Sequence, residues 1–479
     1  MWAISSESSR RTFLKQSGLG IATAAATRLA GAFELPQSES GAGNIQVWIT
    51  DQERRCAAAP SIPWRKASST LNGPTIMLDP DKKFQSILGF GGAFTDAACY
   101  MFNQLEPTAR EKLFHEMFSP SELGLNVCRT CIGASDYSTE AYTYDEGDAD
   151  PELKRFSIER DRKYILPILR QARAVNPDLF LFSSPWTPPG WMKSGGSMLG
   201  GSMRRRYLGV YAEYFVRFLQ AYTADGVPVQ AVTPQNEVDT DQDGKMPACI
   251  WPQEYEIEFV RKLGPLLKQN GLQTKIWILD HNYNLWGRAI GELEDRELRQ
   301  HCNAVAWHGY VGQPAMMTRV HDEYPDVSMY WTEGGPDYTS PDYLSDWTKW
   351  VSNFNSILRN WCQSITAWNL ALDEVGKPNI GPFPCGGVVA IHSKTKEITR
   401  SGQFWALAHF SRFIRQGALR FDSQGTIAGL DHVAFQNPDG KRSLVVSNSA
   451  GDQSVLVQHG GMQAELSLKK DSVATLVWS

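Results

Sequence analysis

Val229-Gln-Ala-Val-Thr-Pro-Gln-Asn236-Glu237 and Ser328-Met-Tyr-Trp-Thr-Glu333-Gly-Gly335 are two short apolar stretches, and each carries a glutamate near its end. Short apolar runs of this kind are typical of buried strands. A carboxylate at the end of a buried strand costs desolvation free energy and adds nothing to a core. Two such glutamates, 96 residues apart, therefore indicate one site built for acid–base and nucleophilic chemistry.

A repeating pattern of strand, loop and helix surrounds these two stretches from about residue 84 onward. The predicted strands are 84–90, 125–132, 179–184, 229–234, 274–279, 304–308, 328–332 and 364–370. Amphipathic stretches between them include 158–175, 204–224, 254–269 and 343–361. Eight strands that alternate with helices over roughly 330 residues predict an α/β fold, a (β/α)8 TIM barrel that we expect at residues 84–415. A doubly wound open sheet is the alternative, but no glycine-rich phosphate loop follows any predicted strand.

The two flanks of this pattern, residues 44–80 and 418–479, lack helical periodicity. In the second flank, residues 443–447, 454–458 and 473–478 alternate or run apolar between turns rich in glycine, aspartate and asparagine. Such segments are typical of strands joined by tight turns. Because each flank is only a partial β pattern, we expect the two flanks to combine into one β-sandwich domain beside the barrel.

Length and composition limit the class of protein. The chain has 479 residues, of which 42% are hydrophobic, enough for a large core and more than one domain. A net charge of −5 does not favour nucleic acid or an anionic membrane as a partner. After residue 32 no apolar run is long enough to cross a bilayer. The 16 Trp and 16 Tyr residues support a carbohydrate ligand, because sugars stack on flat rings. Nothing in the sequence indicates an oligomeric state.

The N-terminus has the order of features of an export signal. Ser9-Arg10-Arg11-Thr12-Phe13-Leu14-Lys15 is followed by a small, weakly apolar stretch at 18–26 and by Ala30-Gly31-Ala32, which resembles a cleavage site. This order predicts a twin-arginine signal peptide at residues 1–32 and a periplasmic or extracellular location. A basic disordered tail is the alternative.

Neither the cysteines nor the histidines predict a metal site. Cys128-Arg-Thr-Cys131 is the one C-x-x-C motif, but it lies in a predicted strand without a second ligand pair, so both cysteines are expected to be buried hydrophobic residues. His281 and His308 follow predicted strands, but no third ligand clusters with them in the sequence. Hydrogen bonding is therefore the predicted role of both histidines, and neither a metal nor another cofactor is expected.

Polar and aromatic residues follow the predicted barrel strands, where active sites of this fold lie. The candidate substrate-binding residues at these strand ends are Asp96, Arg129, Trp186, Asn236, His308, Tyr310, Trp368 and Asn369. Acids, amides and indoles on one face suit a polyol with flat apolar ring faces. Asp96 has a second interpretation as a third acid, although the glycine-rich stretch before it favours hydroxyl binding. A serine hydrolase has no support, because no G-x-S-x-G motif is present.

The two glutamates suit a retaining glycosidase. In such enzymes one carboxyl group protonates the leaving oxygen and a second, about 5–5.5 Å away, attacks the anomeric carbon. We expect Glu237 to be the acid/base, because aromatic residues near it would favour its protonated form, and Glu333 to be the nucleophile, held ionised by Arg129. Taken singly, each glutamate is more typical of an exposed loop. Their positions on predicted strands four and seven, with Gly334-Gly335 clearing space, favour catalysis.

Several motifs in one order resemble glycoside hydrolase family 30, in particular its glucosylceramidase branch. These motifs are Gly89-Phe-Gly-Gly-Ala-Phe-Thr-Asp96-Ala-Ala, Ser184-Pro-Trp-Thr-Pro-Pro-Gly-Trp191, Asn236-Glu237, Trp368-Asn-Leu-Ala-Leu372 and Leu407-Ala-His-Phe-Ser-Arg-Phe-Ile414. The resemblance implies a barrel with a β-sandwich made from both chain ends, retention of anomeric configuration, Glu237 as acid/base and Glu333 as nucleophile, without a cofactor. It also implies that Asp96, Trp186, Asn236 and Trp368 bind the glucosyl unit.

Two positions depart from the family pattern. After Glu237 the chain reads Val-Asp-Thr-Asp-Gln-Asp-Gly-Lys-Met246, rich in acids, where glucosylceramidase places aromatic residues near the aglycone. Gly309 stands where the family has a Trp between the residues matched by His308 and Tyr310. The first departure indicates a more polar leaving group than ceramide.

These observations predict an exported, retaining exo-β-glycosidase, and first of all a β-glucosidase that hydrolyses terminal β-glucosyl residues by double displacement. The alternatives within the same chemistry are a β-xylosidase, a β-fucosidase and a β-1,6-glucanase, because one hydroxymethyl pocket discriminates only modestly. A non-catalytic carbohydrate-binding protein on the same fold is the alternative from another class.

Overall fold

The computed structural model describes residues 43–68 and 73–479, so the predicted export signal at residues 1–32 lies outside the described residues. Parallel strands form a closed eight-stranded barrel. These strands are β1 (Gly89–Phe94), β2 (Val127–Cys131), β3 (Phe180–Ser184), β4 (Ala231–Val232), β5 (Lys275–Asn282), β6 (Cys302–His308), β7 (Ser328–Glu333) and β8 (Cys362–Ala367). Hydrogen bonds between β8 and β1 close the barrel, and the predicted fold class is confirmed.

The prediction of the first strand at 84–90 is wrong. β1 begins at Gly89, and the first residues of the predicted run belong to the strand Thr75–Ser86 of the second domain. Glycine is unusual inside strands, so Gly89-Phe-Gly-Gly looks like a turn in the sequence. The structure explains the glycine at position 91, because a Cβ atom there would lie 2.0 Å from the carbonyl oxygen of Val127 on β2.

Helices connect the barrel strands. The described residues form α1 (Asp96–Asn103), α2 (Pro107–Phe118), α3 (Glu159–Val175), α4 (Leu208–Ala224), α5 (Gln253–Gln269), α6 (Trp286–Leu293), α7 (Ala315–Glu323), α8 (Trp347–Arg359) and α9 (Gly402–Ser411). The four predicted helices overlap α3, α4, α5 and α8. Within residues 43–68 and 73–479, no helix has both the length and the apolar character needed to cross a membrane.

Both flanks of the chain contribute to a ten-stranded sheet. In spatial order its strands are Ala57–Ile62, Ile45–Thr50, Ser472–Trp478, Arg442–Asn448, Leu430–Gln436, Leu419–Gln424, Thr75–Ser86, Gln453–His459, Met462–Leu468 and Arg65–Lys66. Buried side chains from distant strands of this order, such as Ile45, Leu444, Val457 and Leu466, share one core. The sheet therefore folds back on itself as a β-sandwich, as the sequence predicts.

A buried histidine joins the barrel to the sandwich. His409 lies on α9, and its ring nitrogens lie 2.8 Å from the hydroxyl oxygens of Thr50 and Thr475. Burial and the nearby Arg412 lower the pKa of His409 to about 3, so its ring is neutral near pH 7. One neutral ring thus links a helix to two neighbouring strands of the sandwich.

The cysteines are all free thiols. Cys128 and Cys131 lie in β2 and are buried, in agreement with their predicted role as small hydrophobic residues. Cys385 alone of the eight is partly exposed, and it lies in the wall of the pocket described below.

Candidate active site

The C-terminal ends of the barrel strands surround a pocket of about 580 Å³. This is the end at which barrel enzymes place their catalytic groups. The wall includes Asp136, Trp186, Asn236, Glu237, Gln242, His281, Tyr310, Glu333, Trp368 and Cys385. The structure therefore brings the two predicted catalytic glutamates to one cavity, although they are far apart in the sequence.

Glu333 ends β7 and is nearly buried, with 5% of its surface exposed. The guanidinium group of Arg129 donates to its Oε2 at 2.5 Å, and the hydroxyl group of Tyr310 donates to its Oε1 at 3.1 Å. Arg129 is itself fully buried in β2. Each carboxylate oxygen of Glu333 thus has its own donor, and one of the two bonds is charge-assisted.

Asp280 on β5 is the centre of a hydrogen-bond network beneath the pocket. Its carboxylate accepts from Arg129 at 2.7 Å and lies 3.1 Å from Nε2 of His308. The hydroxyl groups that donate to it belong to Ser184, Thr233 and Thr332. Burial by itself raises the pKa of Asp280, but Arg129 and His308 outweigh burial and hold that pKa far below its usual value. Arg129, Asp280, His308 and Glu333 are called the buried network below.

Glu237 follows the short strand β4 and faces the pocket with 16% of its side chain exposed. Its backbone has a left-handed φ of 54°, and its N–H donates to the carbonyl oxygen of Asp280 at 3.1 Å. Gln242 donates to its Oε2 at 3.0 Å. Its Oε1 lies 3.4 Å from Nδ1 of His308 and 3.9 Å from Nδ1 of His281.

The expected protonation of Glu237 is not supported, because its nearest neighbours are histidines and an amide rather than indoles. Burial raises the pKa of Glu237, but His308, His281 and Gln242 outweigh burial, and the net shift is downward. For His308, burial lowers the pKa, but the carboxylates of Glu333, Asp280 and Glu237 raise it to about 9. Near pH 7 the ring is therefore an imidazolium beside Glu237.

The pKa of Glu333 moves in the other direction. Burial raises it, and the carboxylates of Glu237 and Asp280 add to the rise, against His308 and Arg129. The upward shift of Glu333 does not match its expected ionised form, just as the downward shift of Glu237 does not match its expected protonation. A negative charge on Glu333 favours the protonated form of Glu237, and the loss of that charge favours the ionised form.

Two indoles form a flat apolar wall. The rings of Trp186 and Trp368 stack with their centroids 5.0 Å apart and an angle of 19° between their planes. The guanidinium group of Arg129 lies 4.6 Å from the centroid of Trp186, which supports the ring from behind. The side-chain oxygen of Asn236 accepts from Arg129 at 2.7 Å. Its amide N–H groups are therefore the ones left to donate to a ligand in the pocket.

The structure does not bring Asp96 and Asn369 to the pocket wall, and substrate binding by these two residues stays a prediction. Asp96 is the first residue of α1. Its carboxylate accepts from the N–H of Thr139, the hydroxyl of Tyr164 and the guanidinium of Arg160. The side chain of Asn369 is fully buried and accepts from the hydroxyl of Thr95. Both residues follow barrel strands, but their side chains form hydrogen bonds that hold the ends of β1 and β8 to neighbouring segments. Neither lines the pocket.

Asp136 is an acid on the pocket wall that is not among the predicted substrate-binding residues. It lines the pocket and is 4% exposed, and its Oδ1 has no hydrogen-bond partner among the described residues. Burial, with Glu333 and Glu237 nearby, raises its pKa well above the usual value. A buried carboxyl oxygen without a partner, at the wall of a cavity, is a group that a sugar hydroxyl can satisfy. Asp136 lies five residues beyond the end of β2, so an acid after an early strand is the signal that could have found it.

The loop after β8 closes the pocket on the side of Asp136. The N–H of Ile380 donates to the carbonyl oxygen of Asp136 at 2.8 Å. The hydroxyl of Tyr137 donates to the carbonyl oxygen of Phe383 and accepts from the N–H of Cys385, each at 2.7 Å. These bonds fix the loop to the end of β2, so the cavity has a wall there.

Residues 238–246, called the leaving-group loop below, form another part of the wall. Asp239, Thr240, Gln242 and Met246 of this loop line the pocket. Gln242 has a left-handed φ of 52°, and the neighbouring Asp243 has one of 53°. The wall that the loop presents is mainly polar, as the acid-rich sequence indicates.

Comparison with known proteins agrees with this geometry. The family description "Glycosyl hydrolase family 30 TIM-barrel domain" matches residues 87–414, and "Glycosyl hydrolase family 30 beta sandwich domain" matches residues 417–476. The chain belongs to glycosyl hydrolase family 30. It is a glycoside hydrolase, and the predicted resemblance to this family is confirmed.

Relatives of this family 30 hydrolase include endo-1,6-β-glucanases and glucosylceramidases. An endo-1,6-β-D-glucanase of Neurospora crassa is 31% identical over 407 residues, which cover 79% of this chain and 82% of the relative. The lysosomal acid glucosylceramidase of Mus musculus is 31% identical over 413 residues, covering 81% and 79%. The solved structure of the endo-β1,6-glucanase BT3312 is 29% identical, with a TM-score of 0.83 over 91% of this chain and all of that one.

Proposed function

We propose that this family 30 hydrolase is a retaining exo-β-glucosidase that removes terminal β-glucosyl residues from a sugar or another polar leaving group. The observation that carries the proposal is the convergence of Glu237 and Glu333 on one pocket walled by Trp186 and Trp368. Asp136 and Asn236 present an unpartnered oxygen and free amide hydrogens to the same space. These groups suit a sugar with several hydroxyls and one apolar face.

The first chemical step is attack by Glu333. An oxygen of its carboxylate, oriented by Arg129 and Tyr310, forms a bond with the anomeric carbon. The bond from that carbon to the leaving oxygen breaks, and its electron pair goes to the leaving oxygen, which takes a proton from Glu237. Glu237 regains this proton from water in the second step.

The second step hydrolyses the glucosyl ester of Glu333. Ester formation removes the negative charge of Glu333, which lowers the pKa of Glu237 and makes it a base. Glu237 then accepts a proton from water as the water oxygen attacks the anomeric carbon and the ester bond to Glu333 breaks. Two displacements on opposite faces return the starting configuration.

Two features support terminal cleavage and a polar leaving group. The loop fixed to Tyr137 by Phe383 and Cys385 closes one side of the pocket, which suits the end of a chain. The leaving-group loop places Asp239 and Gln242 on the pocket wall, and these polar side chains suit a polar leaving group better than ceramide. A second candidate, an endo-β-1,6-glucanase, is favoured by the relatives that carry this name.

The first test uses an activated 2-deoxy-2-fluoro-β-glucoside and the mass of the intact protein and its peptides. One fluoroglucosyl adduct on the peptide that carries Glu333 is the expected result. An adduct elsewhere would contradict the role of Glu333. If the folded protein gains no adduct, β-glucosidase is the wrong assignment, and the fluoroxylosyl and fluorofucosyl analogues then distinguish the xylosidase and fucosidase alternatives from a binding protein.

A second test separates exo from endo action. A purified β-1,6-linked glucose hexamer, sampled early in the reaction, is expected to give glucose and the pentamer. Dimers, trimers and tetramers at the earliest times, with little glucose, would instead support the endo-glucanase. Glucosylceramide in detergent is expected to be a poorer substrate than the hexamer.

We also propose export through the twin-arginine pathway, supported by Ser9-Arg10-Arg11-Thr12-Phe13-Leu14-Lys15. Replacing both Arg10 and Arg11 by lysine is expected to retain the protein in the cytoplasm of a bacterial host. Equal amounts of the variant and the wild type outside the inner membrane would contradict this pathway.

A further inference from the structure

Glu237, His281 and His308 form a compact group of ligand-type atoms at the pocket. One such atom from each of the three side chains lies within 4.8 Å of the others. The Oε1 of Glu237 is 3.4 Å from Nδ1 of His308 and 3.9 Å from Nδ1 of His281. No metal is expected from the sequence, because no third ligand-type residue lies near the histidines there. In the structure Glu237 supplies a third ligand-type oxygen.

The two imidazoles are oriented as metal-binding histidines are. Nδ1 of each ring has no hydrogen-bond partner among the described residues, and both side chains are more than nine-tenths buried. The other nitrogen of each ring faces a carboxylate. Nε2 of His281 lies 2.5 Å from Asp239, and Nε2 of His308 lies 3.1 Å from Asp280. A carboxylate behind a histidine fixes the ring and raises its basicity as a ligand.

The spacing is close to that of a small tetrahedral ion. In a zinc site with bonds of about 2.0–2.2 Å, neighbouring ligand atoms lie about 3.3–3.6 Å apart. The separation from Glu237 to His308 has this value, and the three ligand atoms lie within 4.8 Å of one another, so His281 must move inward to complete the site. We propose that Glu237, His281 and His308 bind a zinc-type divalent cation through Oε1 and the two Nδ1 atoms, with the fourth position open to the pocket.

The charge of the surroundings favours a cation at this point. The carboxylates of Asp239, Asp280 and Glu333 lie around the two histidines, and Arg129 pairs with Asp280 and Glu333. Glu237 and Asp239 have no ion pair with an arginine or lysine among the described residues, so their charge is left to balance a divalent ion. Because the ion takes Oε1 of Glu237, it removes the acid/base group, so we infer that the ion inhibits the enzyme rather than assisting it.

Binding is tested with Co²⁺, whose absorption reports its ligands, and with Zn²⁺ as competitor. Protein treated with a chelator and then freed of it is titrated with Co²⁺. The expected result is one equivalent bound with the absorption of a four-coordinate ion and no thiolate charge-transfer band. Zn²⁺ should then displace the Co²⁺ completely.

Variants identify the ligands. Asp239→Asn leaves all three ligands and removes one supporting carboxylate, so the affinity should fall about 10–100-fold. His281→Ala removes a ligand, and the loss should be larger still. Cys385→Ser is the matched control, because Cys385 lines the same pocket, and it should bind Co²⁺ like the wild type. Circular dichroism and melting temperature establish that each variant is folded.

Three results would overturn the proposal: no bound Co²⁺ or Zn²⁺ in the folded wild type, unchanged affinity in His281→Ala, or loss of binding in Cys385→Ser. The inhibition itself rests on the proposed function. In an assay with the β-glucoside that labels the enzyme, Zn²⁺ should compete with that substrate. The absorption titration does not depend on activity, so a failure of the β-glucosidase assignment leaves the metal site testable by itself.

Discussion

The buried network and the leaving-group loop meet at Glu237, but they are built in opposite ways. In the network, Arg129, Asp280 and His308 come from strands, show no exposed surface and bind one another. In the loop, Asp239 is 45% exposed and Gln242 has a left-handed backbone. The strands thus fix Asp280 and Glu333, whereas Glu237 lies beyond the end of β4 and is bound by Gln242 of the loop. The predictions below test this division.

Glu333→Gln should have the largest effect. The amide keeps the shape of the side chain but is no nucleophile, so kcat with an aryl β-glucoside should fall on the order of 10⁴-fold or more. Thermal melting should show that the variant is folded. Activity within tenfold of the wild type would mean that the chemistry does not depend on the network.

Glu237→Ala should depend on the leaving group. General acid catalysis contributes about 10²–10⁴-fold, and an activated aryl group needs little protonation. The loss in kcat/KM should therefore be near the upper value for a β-1,6-linked diglucoside and much smaller for a dinitrophenyl glucoside. Equal losses for the two substrates would argue against the acid role.

Two aspartates beside the histidines provide a matched pair for stability. Asp280→Asn leaves buried Arg129 and His308 short of a carboxylate, and the free energy of unfolding should fall by about 3–5 kcal/mol. Asp239→Asn changes a half-exposed partner of His281, and the cost should be at most about 1 kcal/mol. Urea unfolding of both variants measures the difference. Equal losses in the free energy of unfolding for the two variants would contradict the idea that the buried network is more tightly bound than the loop.

Gln242→Ala should have the smallest effect. It removes one hydrogen bond to Glu237, worth about 1 kcal/mol, so kcat/KM for the diglucoside should change less than about tenfold. The rate of fluoroglucosyl labelling by a dinitrophenyl donor should change less than that, because no hydrogen bond or ion pair joins the loop to Glu333 among the described residues. A larger effect on labelling than on the diglucoside would contradict the assignment of this loop to the leaving group.

The barrel and the positions of Glu237 and Glu333 could be predicted because periodicity and burial are local properties of the sequence. Seven of the eight predicted strands match barrel strands of the structure for the same reason. The first does not, because the glycines of β1 have low strand propensity and are explained only by the close approach of Val127. In that case a contact between distant residues decides a local structure.

The limits of the site prediction have the same cause. Asp96 and Asp136 are both acids after early strands, and only the three-dimensional structure shows that Arg160 and Tyr164 occupy the first while the second faces the cavity. Asp280 directly follows a predicted strand, but its hydrogen bonds come from groups on several strands that the sequence does not bring together. Pairings of this kind are set by the closed barrel and not by sequence spacing.

The strand Ile45–Thr50 pairs with Ser472–Trp478, and both provide a threonine to His409. At about 5–20 residues per second, roughly 20–90 s of synthesis separate the two strands. During that time Ile45, Val47 and Ile49 have the neighbouring strand Ala57–Ile62 as a partner, but they lack the apolar side chains of the C-terminal flank that bury them in the finished molecule. The apolar face of the earliest described strand is therefore among the last to be covered.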